Sequence, residues 1–149
     1  MVTAIIALGS NLGDRRYNLL RAIDELHRVI RIVRVSSFHE TDPVDAPAGS
    51  PLFLNAVLIG HTQLAPLALL EQLHAIESSH GRVRRQRNEP RRIDLDLIAY
   101  GATRMRTARL TLPHPRAHER EFVMKPLKEI WSAATPVAAL TQSGGEVVR

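Results

Sequence analysis

The chain has 149 residues, no cysteine, 44% hydrophobic and 23% charged residues, and a formal net charge of +5. This composition predicts one globular domain over residues 1–149 and excludes a disulfide scaffold or a thiolate metal site. No apolar run reaches membrane-spanning length, and the run VTAIIAL lacks a basic leader and ends at Gly9, so we expect a cytoplasmic protein without a membrane partner.

The first half of the chain alternates strand and helix patterns. Residues 2–8 predict a strand, and after the turn GSNLGD the stretch DRRYNLLRAIDELHRVI has leucine and isoleucine at helical spacing. Asp14 is a suitable N-cap for this helix. Two further strands are predicted from IRIVRVSSFH and LFLNAVLIG, with the loop TDPVDAPAGSP between them.

The second half adds another helix and strand. A helix is predicted from Pro66 to a stop at Gly81, and IDLDL predicts the next strand. The order β-α-β-β-α-β is typical of a ferredoxin-like α+β fold, in which both helices cover one face of an antiparallel sheet and the other face is free. A C-terminal extension should add a short strand in ARLTL and a helix near KPLKEIW, with a frayed tail from about residue 135.

The net positive charge is concentrated between the second helix and the IDLDL strand. RVRRQRNEPRR, residues 82–92, has six arginines and one glutamate, which leaves 14 basic and 14 acidic residues elsewhere. Such a local excess favours a polyanionic ligand over a nucleic acid bound along the surface, although a solvated loop explains the segment about equally well.

The stretch PRRIDLDLIAYG places two carboxylates within an apolar run. Strand alternation predicts one face with Asp94, Asp96, Ile98 and Tyr100, and an opposite face with Ile93, Leu95, Leu97 and Ala99. The Cα atoms of the two aspartates lie about 6.6 Å apart along a strand, so their carboxylates repel each other and a positive group should lie between or beside them. From these residues alone, solvated or arginine-paired structural carboxylates are favoured over a divalent metal site.

Several separated motifs resemble one family. In chain order they are GSNLGD, SSFHETDPV, FLNAV, IESSHGRVR, PRRIDLDL and LPHPRAHEREFV. Together, over roughly residues 3–131, they resemble the 6-hydroxymethyl-7,8-dihydropterin pyrophosphokinases of folate biosynthesis. The resemblance implies transfer of pyrophosphate from ATP to the pterin hydroxymethyl group with release of AMP, and it implies two Mg²⁺ ions.

The resemblance also implies four overlapping groups of site residues. The metal ligands match Asp94 and Asp96. The pterin-binding positions match Thr41, Asp42, Val44, Phe53, Asn55 and Phe122. The ATP-binding positions match Glu77, Arg82, Arg84, Arg91, His114 and Arg120. The catalytic positions match Arg82, Arg91, Asp94 and Asp96. In this scheme Phe53 and Phe122 stack on the two faces of the pterin, and Asn55 contacts its edge.

The sequence leaves two other functions open. The predicted element order and the basic segment also fit an RNA-binding module, but such a module stacks bases on strand aromatics, and aromatic residues are only 4% of this chain. A pterin-binding protein without catalysis is the third possibility. Without the resemblance, the favoured interpretation of Phe53 and Phe122 is as core residues, and that of Asn55 is as a turn former at a strand end. With it, we expect a monomeric enzyme with small-molecule substrates and no nucleic-acid partner.

Overall fold

The computed structural model describes residues 1–42, 48–81 and 92–132. The strands are β1 (Val2–Ser10), β2 (Arg31–Val35), β3 (His39–Thr41), β4 (Phe53–Thr62), β5 (Asp94–Tyr100), β6 (Met105–Arg106) and β7 (Thr111–Leu112). The helices are α1 (Arg15–Leu26), α2 (Pro66–Ser79) and α3 (Glu121–Ile130), and a 3₁₀ turn spans Ala117–Glu119. The predicted tail from about residue 135 lies outside the described residues.

The main sheet is antiparallel throughout. Its strand order is β2-β4-β1-β5, and β3 also pairs with β4. The predicted α+β class with an antiparallel sheet is confirmed. The predicted strand IRIVRVSSFH is two strands, because Ser36 interrupts the ladder. The Ser36 N–H donates to the Val57 carbonyl, but the Val57 N–H donates to Ser36 Oγ instead of a backbone oxygen, both at 2.9 Å.

One face of the sheet packs against α1 and α2. The predicted N-cap is confirmed, since Asp14 Oδ1 accepts the Tyr17 N–H at 3.1 Å. The core on this face contains Ile6, Leu8, Leu19, Leu26, Leu58, Leu69, Leu73, Leu95 and Leu97. Leucines from both helices and alternate residues of three strands therefore form one apolar layer.

The opposite face is partly covered, so the prediction of a free face is wrong. Helix α3 begins at Glu121, earlier than predicted, and packs on this face of the sheet. The second core contains Ile5, Val57, Ile59, Ile98, Val123, Met124, Leu127 and Ile130. The physical reason is that the inner strands are apolar on both faces, and a helix with apolar residues three and four positions apart buries the second one. Among the described residues, no helix is long and apolar enough to cross a bilayer.

Strand β5 departs from simple alternation at Ile98. Ile6 pairs with Leu97 but Ile5 pairs with Ala99, so Ile98 is an extra residue in the ladder. After this bulge Ala99 joins the α3 face and Tyr100 joins the α1–α2 face. The predicted faces of Ala99 and Tyr100 are therefore wrong.

Candidate functional site

Asp94 and Asp96 precede the bulge and lie on the face of the sheet that α3 partly covers. The register forms two rows across the strands. One row consists of His39, Asn55, Gly9 and Asp94, and the next consists of Val57, Ala7 and Asp96. Both aspartates are half-buried, while Leu95 between them is buried on the opposite face. The predicted common face of the two carboxylates is confirmed.

The carboxylate pair fits a hard divalent cation bound together with substrate oxygens. In residues 1–42, 48–81 and 92–132, no three His, Cys, Asp or Glu side chains form a group that could hold a metal by themselves. Mg²⁺ commonly uses one or two carboxylates and completes its octahedron with water and phosphate oxygens. Two aspartates on one half-exposed strand face meet that requirement, because they leave room for water and phosphate oxygens. A closed site made only of protein ligands would not.

Glu77 on α2 anchors the strand that carries the aspartates. Its carboxylate accepts the Leu95 N–H at 2.8 Å, and the residue is only 2% exposed. Because β5 is an edge of the main sheet, the outward N–H of Leu95 has no strand partner there. The contact connects α2 to the backbone between Asp94 and Asp96. Glu77 was predicted as an ATP ligand. In the structure its carboxylate also holds the backbone of β5 in place.

His114 lies beside the outer edge of β5. Its backbone N–H donates to the Ile98 carbonyl at 2.8 Å, and its ring Nδ1 accepts the Arg116 N–H at 3.2 Å. Burial, followed by the nearby charges of Arg120 and Arg116, lowers the pKa of His114 to about 4 against the opposing effect of Asp94. At neutral pH the imidazole is therefore uncharged, with its hydrogen on Nε2, in a basic environment close to Asp94.

A cavity of about 360 Å³ adjoins the carboxylate pair. Its lining includes Leu70, His74, Asp96, Arg109, Thr111 and His114. The size and mixed lining suit a small polar ligand. Arg109 and Thr111 did not stand out in the sequence, because they reach the cavity only through the β6–β7 hairpin. The sequence indicated that hairpin only through the short strand predicted in ARLTL.

Thr41, Phe53 and Asn55 form a second part of the site around Gly9. Asn55 is 5% exposed, and its side-chain Nδ2 donates to Thr41 Oγ1. A Cβ atom at Gly9 would lie 2.9 Å from Asn55 Oδ1 and 3.3 Å from Phe53 Cδ1. The absence of a side chain at Gly9 therefore lets Asn55 and Phe53 lie over the strand. From the sequence, Gly9 was interpreted only as the end of a strand. A glycine at that point also indicates that other atoms approach the backbone closely.

The remaining predicted residues lie in different parts of the chain. Phe122 is half-buried in the first turn of α3, on the side of the sheet that carries Asn55, and the Arg120 guanidinium carbon lies 5.5 Å from its ring centroid. Asp42 is exposed at the end of β3. Four predicted residues lie outside the described residues, namely Val44, Arg82, Arg84 and Arg91.

Comparison with known proteins identifies the family. Residues 5–132 match the family model of 7,8-dihydro-6-hydroxymethylpterin-pyrophosphokinase (HPPK). The chain belongs to the HPPK family. A 2-amino-4-hydroxy-6-hydroxymethyldihydropteridine pyrophosphokinase of Haemophilus influenzae is 44% identical over 135 residues, which are 89% of this chain and 83% of that protein. The enzyme of the same name from Bacillus subtilis is 40% identical over 148 residues, covering 98% and 88% of the two chains.

Solved structures described as HPPK-DHPS share the fold. A crystal structure described as HPPK-DHPS in complex with substrates has a TM-score of 0.63 and 14% identity, and the match covers 87% of this chain and 40% of that one. The Plasmodium falciparum HPPK-DHPS structure gives a TM-score of 0.62. Membership of the HPPK family assigns to this chain pyrophosphate transfer to hydroxymethyldihydropterin in folate biosynthesis, with ATP as co-substrate.

Proposed function

We propose that this HPPK performs its reaction on the sheet face that carries Asn55, Gly9 and Asp94. The hydroxymethyl oxygen of the pterin bonds to the β-phosphorus of ATP, the bond between that phosphorus and the α,β-bridging oxygen breaks, AMP leaves, and the proton of the hydroxyl group passes to solvent. The observation that supports this proposal is the row Asn55, Gly9, Asp94, in which an amide suited to a heterocycle on β4 and a carboxylate suited to a metal-bound phosphate on β5 flank the glycine of β1.

Asp94 and Asp96 are the proposed ligands of two Mg²⁺ ions. Bound there, magnesium would neutralise the charge of the ATP phosphates and align them for displacement. The protein's contribution is to hold both carboxylates on one rigid strand face. That rigidity comes from the pairing of β5 with β1 and from the contact of Glu77 with the backbone at Leu95.

The cavity beside Asp96 is the proposed nucleotide site. His114 lines it as a neutral ring whose Nε2–H can donate to a nucleotide oxygen, and Arg120 adds positive charge nearby. Arginine binds phosphate oxygens in pairs, which is why we also assign phosphate contacts to Arg82, Arg84 and Arg91. Arg82 and Arg91 would act chiefly as charge develops during transfer.

The pterin ring is proposed to lie over Gly9, with Asn55 at its edge. The amide of Asn55 has two N–H donors, and the bond to Thr41 uses one of them. Phe53 and Phe122 would contact the two faces of the ring. Asp42 and Val44 would add main-chain contacts from the loop that follows β3. Polar edge contacts would then supply most of the specificity, since stacking alone contributes only about 0.5–1.5 kcal/mol.

We also propose that the fold is the ferredoxin-like β-α-β-β-α-β arrangement and that the protein is a cytoplasmic monomer. The strand order β2-β4-β1-β5, with β2 and β3 taken as one interrupted strand, supports the fold. Sedimentation equilibrium across a range of concentrations tests the oligomeric state, and a dimer at micromolar concentration would contradict the monomer.

The products provide the test of the reaction. Phosphorus NMR of protein incubated with ATP, Mg²⁺ and 6-hydroxymethyl-7,8-dihydropterin should show AMP and a diphosphate ester of the pterin in equal amounts. A sample without pterin should keep its ATP. Formation of ADP and a monophosphate ester, or of inorganic phosphate alone, would contradict pyrophosphoryl transfer.

A further inference from the structure

A polar cluster at the C-terminal end of α3 lies outside the groups assigned above. The Glu129 carboxylate accepts the Ser37 hydroxyl, whose Oγ lies 2.9 and 2.7 Å from the two carboxylate oxygens. His39 Nε2 makes a short contact with the same carboxylate, and Ser37 Oγ lies 3.2 Å from that nitrogen. The His39 side chain is 21% exposed and that of Glu129 38% exposed.

The residue types are those of a hydrolytic triad, but the geometry is different. In such a triad the acid holds one ring nitrogen of histidine and the serine contacts the other. Here Ser37 and Glu129 both approach Nε2 of His39. The histidine therefore cannot transfer a proton from the serine while the acid orients its other nitrogen. The cluster is a connection between two elements rather than a nucleophile.

The two elements it connects are the ones that carry the proposed pterin contacts. On β3, His39 pairs with Asn55 and Thr41 pairs with Phe53, and Thr41 also accepts the hydrogen bond from Asn55. On α3, Glu129 follows Phe122 by seven residues, about two helical turns, so both lie on one side of the helix.

A second contact fixes the same end of the helix. The guanidinium Nη1 of Arg34 donates to the Ile130 carbonyl at 2.9 Å. This bond attaches α3 to β2, whereas the cluster attaches it to the start of β3. Apolar packing of α3 on β4 holds the helix against the sheet, but such packing is non-directional. Directional bonds at one end therefore set how far along the sheet the helix lies.

We propose that Ser37, His39 and Glu129 are positioning residues that set the separation between Phe122 on α3 and the Asn55–Thr41 pair on the sheet, and through it the affinity for the pterin ring. The inference rests on the proposed pterin site. The hydrogen bonds from His39 and Ser37 hold the pKa of the Glu129 carboxyl below its usual value, so the carboxylate is ionised at neutral pH and the contacts are charge-assisted.

Steady-state kinetics of Glu129→Ala, His39→Ala and the double variant tests the proposal. Each single substitution should raise the KM for pterin by about two- to fivefold, the range expected for a contact at an exposed surface, while the KM for ATP stays at the parent value and the melting temperature changes by no more than about 4 °C. The double variant should be no worse than either single one, because the two residues act as one unit. Lys128→Ala, an exposed neighbour on α3, is the matched control and should behave as the parent.

A conservative variant separates positioning from direct contact. Glutamine places a donor close to where histidine has Nε2, so His39→Gln should recover most of the pterin affinity that His39→Ala loses. A loss of pterin affinity in His39→Ala without such a loss in Glu129→Ala would mean that His39 acts on the pterin by itself. The proposed positioning role of the cluster would then be wrong.

Phe122→Ala separates this inference from the proposed site. If Phe122→Ala raises the pterin KM selectively but Glu129→Ala does not, the positioning role is wrong and the pterin site stands. If Phe122→Ala raises the KM of both substrates equally, the pterin site itself is wrong, and the positioning role falls with it.

Discussion

At the scale of the residue, His114 shows how the fold changes the chemistry of a side chain. Burial, followed by the charges of Arg120 and Arg116, lowers its pKa from 6.5 to about 4. The charged ring is disfavoured in the folded state, so between these two pH values the unfolded chain binds more protons than the folded one. The free energy of unfolding should therefore decrease as pH falls through this window.

Proton NMR of the ligand-free protein measures this directly. We expect the ring signals of His114 to titrate near pH 4, well below the ordinary histidine value of 6.5. We also expect His114→Asn to weaken the fall in melting temperature between pH 6.5 and 4. A His114 titration close to 6.5 would mean that the ring is solvated and that its proposed uncharged donor role is wrong.

Gly9 offers a residue-scale test of the pterin site. An added methyl group would meet Asn55 Oδ1 at 2.9 Å and Phe53 at 3.3 Å, so one of the two side chains must shift. Gly9→Ala should therefore weaken pterin binding by about tenfold, since a misplaced amide loses hydrogen bonds to the ring edge. Calorimetry with a non-hydrolysable ATP analogue should give the parent affinity. Unchanged pterin affinity would place the ring elsewhere.

The sequence predicted the carboxylate pair but not all of its surroundings. Two aspartates alternating with leucines are readable from residue order alone, and strand geometry then puts them on one face. Gly9, Arg109 and Thr111 reach the site through strand pairing and a hairpin, which are contacts between residues distant in sequence. Periodicity reports local structure and carries no direct information about such contacts.

At the scale of the element, α2 and β5 are joined through Glu77. Glu77→Ala leaves the buried Leu95 N–H without its carboxylate acceptor, which should lower the free energy of unfolding by about 1–3 kcal/mol. Glu77→Gln keeps an acceptor oxygen and should cost less. Urea unfolding measures both, and Glu71→Ala, an exposed carboxylate on the same helix, is the control with a change below about 0.5 kcal/mol. Equal stability of parent and Glu77→Ala would show that the contact contributes nothing.

The elements that sequence patterns misplaced have a common cause. The pattern around KPLKEIW predicted a helix correctly but not the sheet face that it covers, because a hydrophobic stripe requires a partner without specifying which one. The β5 bulge at Ile98 was missed for a related reason. An apolar residue fits either face where both faces are buried, so IDLDLIAY reads as regular alternation even though the ladder has an extra residue.

At the scale of the whole molecule, the sheet separates structural and functional roles. The face under α1 and α2 is apolar along the inner strands, and the opposite face is apolar under α3 and polar near Asn55 and Asp94. The HPPK match over residues 5–132 includes every helix and every strand of this arrangement except residues 2–4 at the start of β1. The order and type of most elements followed from the sequence, since hydrophobic periods are strong and turns are marked by glycine and proline. The position of α3 determines how much of the sheet face around the site stays uncovered. That position depends on tertiary packing.

We propose that Asp94 and Asp96 are the centre of pyrophosphoryl transfer. The most direct measurement is pterin-dependent AMP release by the parent, Asp94→Asn, Asp96→Asn and Asp24→Asn, an exposed aspartate of α1 that undergoes the same chemical change. We predict that each site variant keeps its fold by circular dichroism and loses at least about a hundredfold in turnover, because metal-assisted neutralisation of phosphate charge contributes several kcal/mol. The Asp24 variant should match the parent. Turnover close to the parent rate in both site variants would show that the pair is structural, and the account of the site would be wrong.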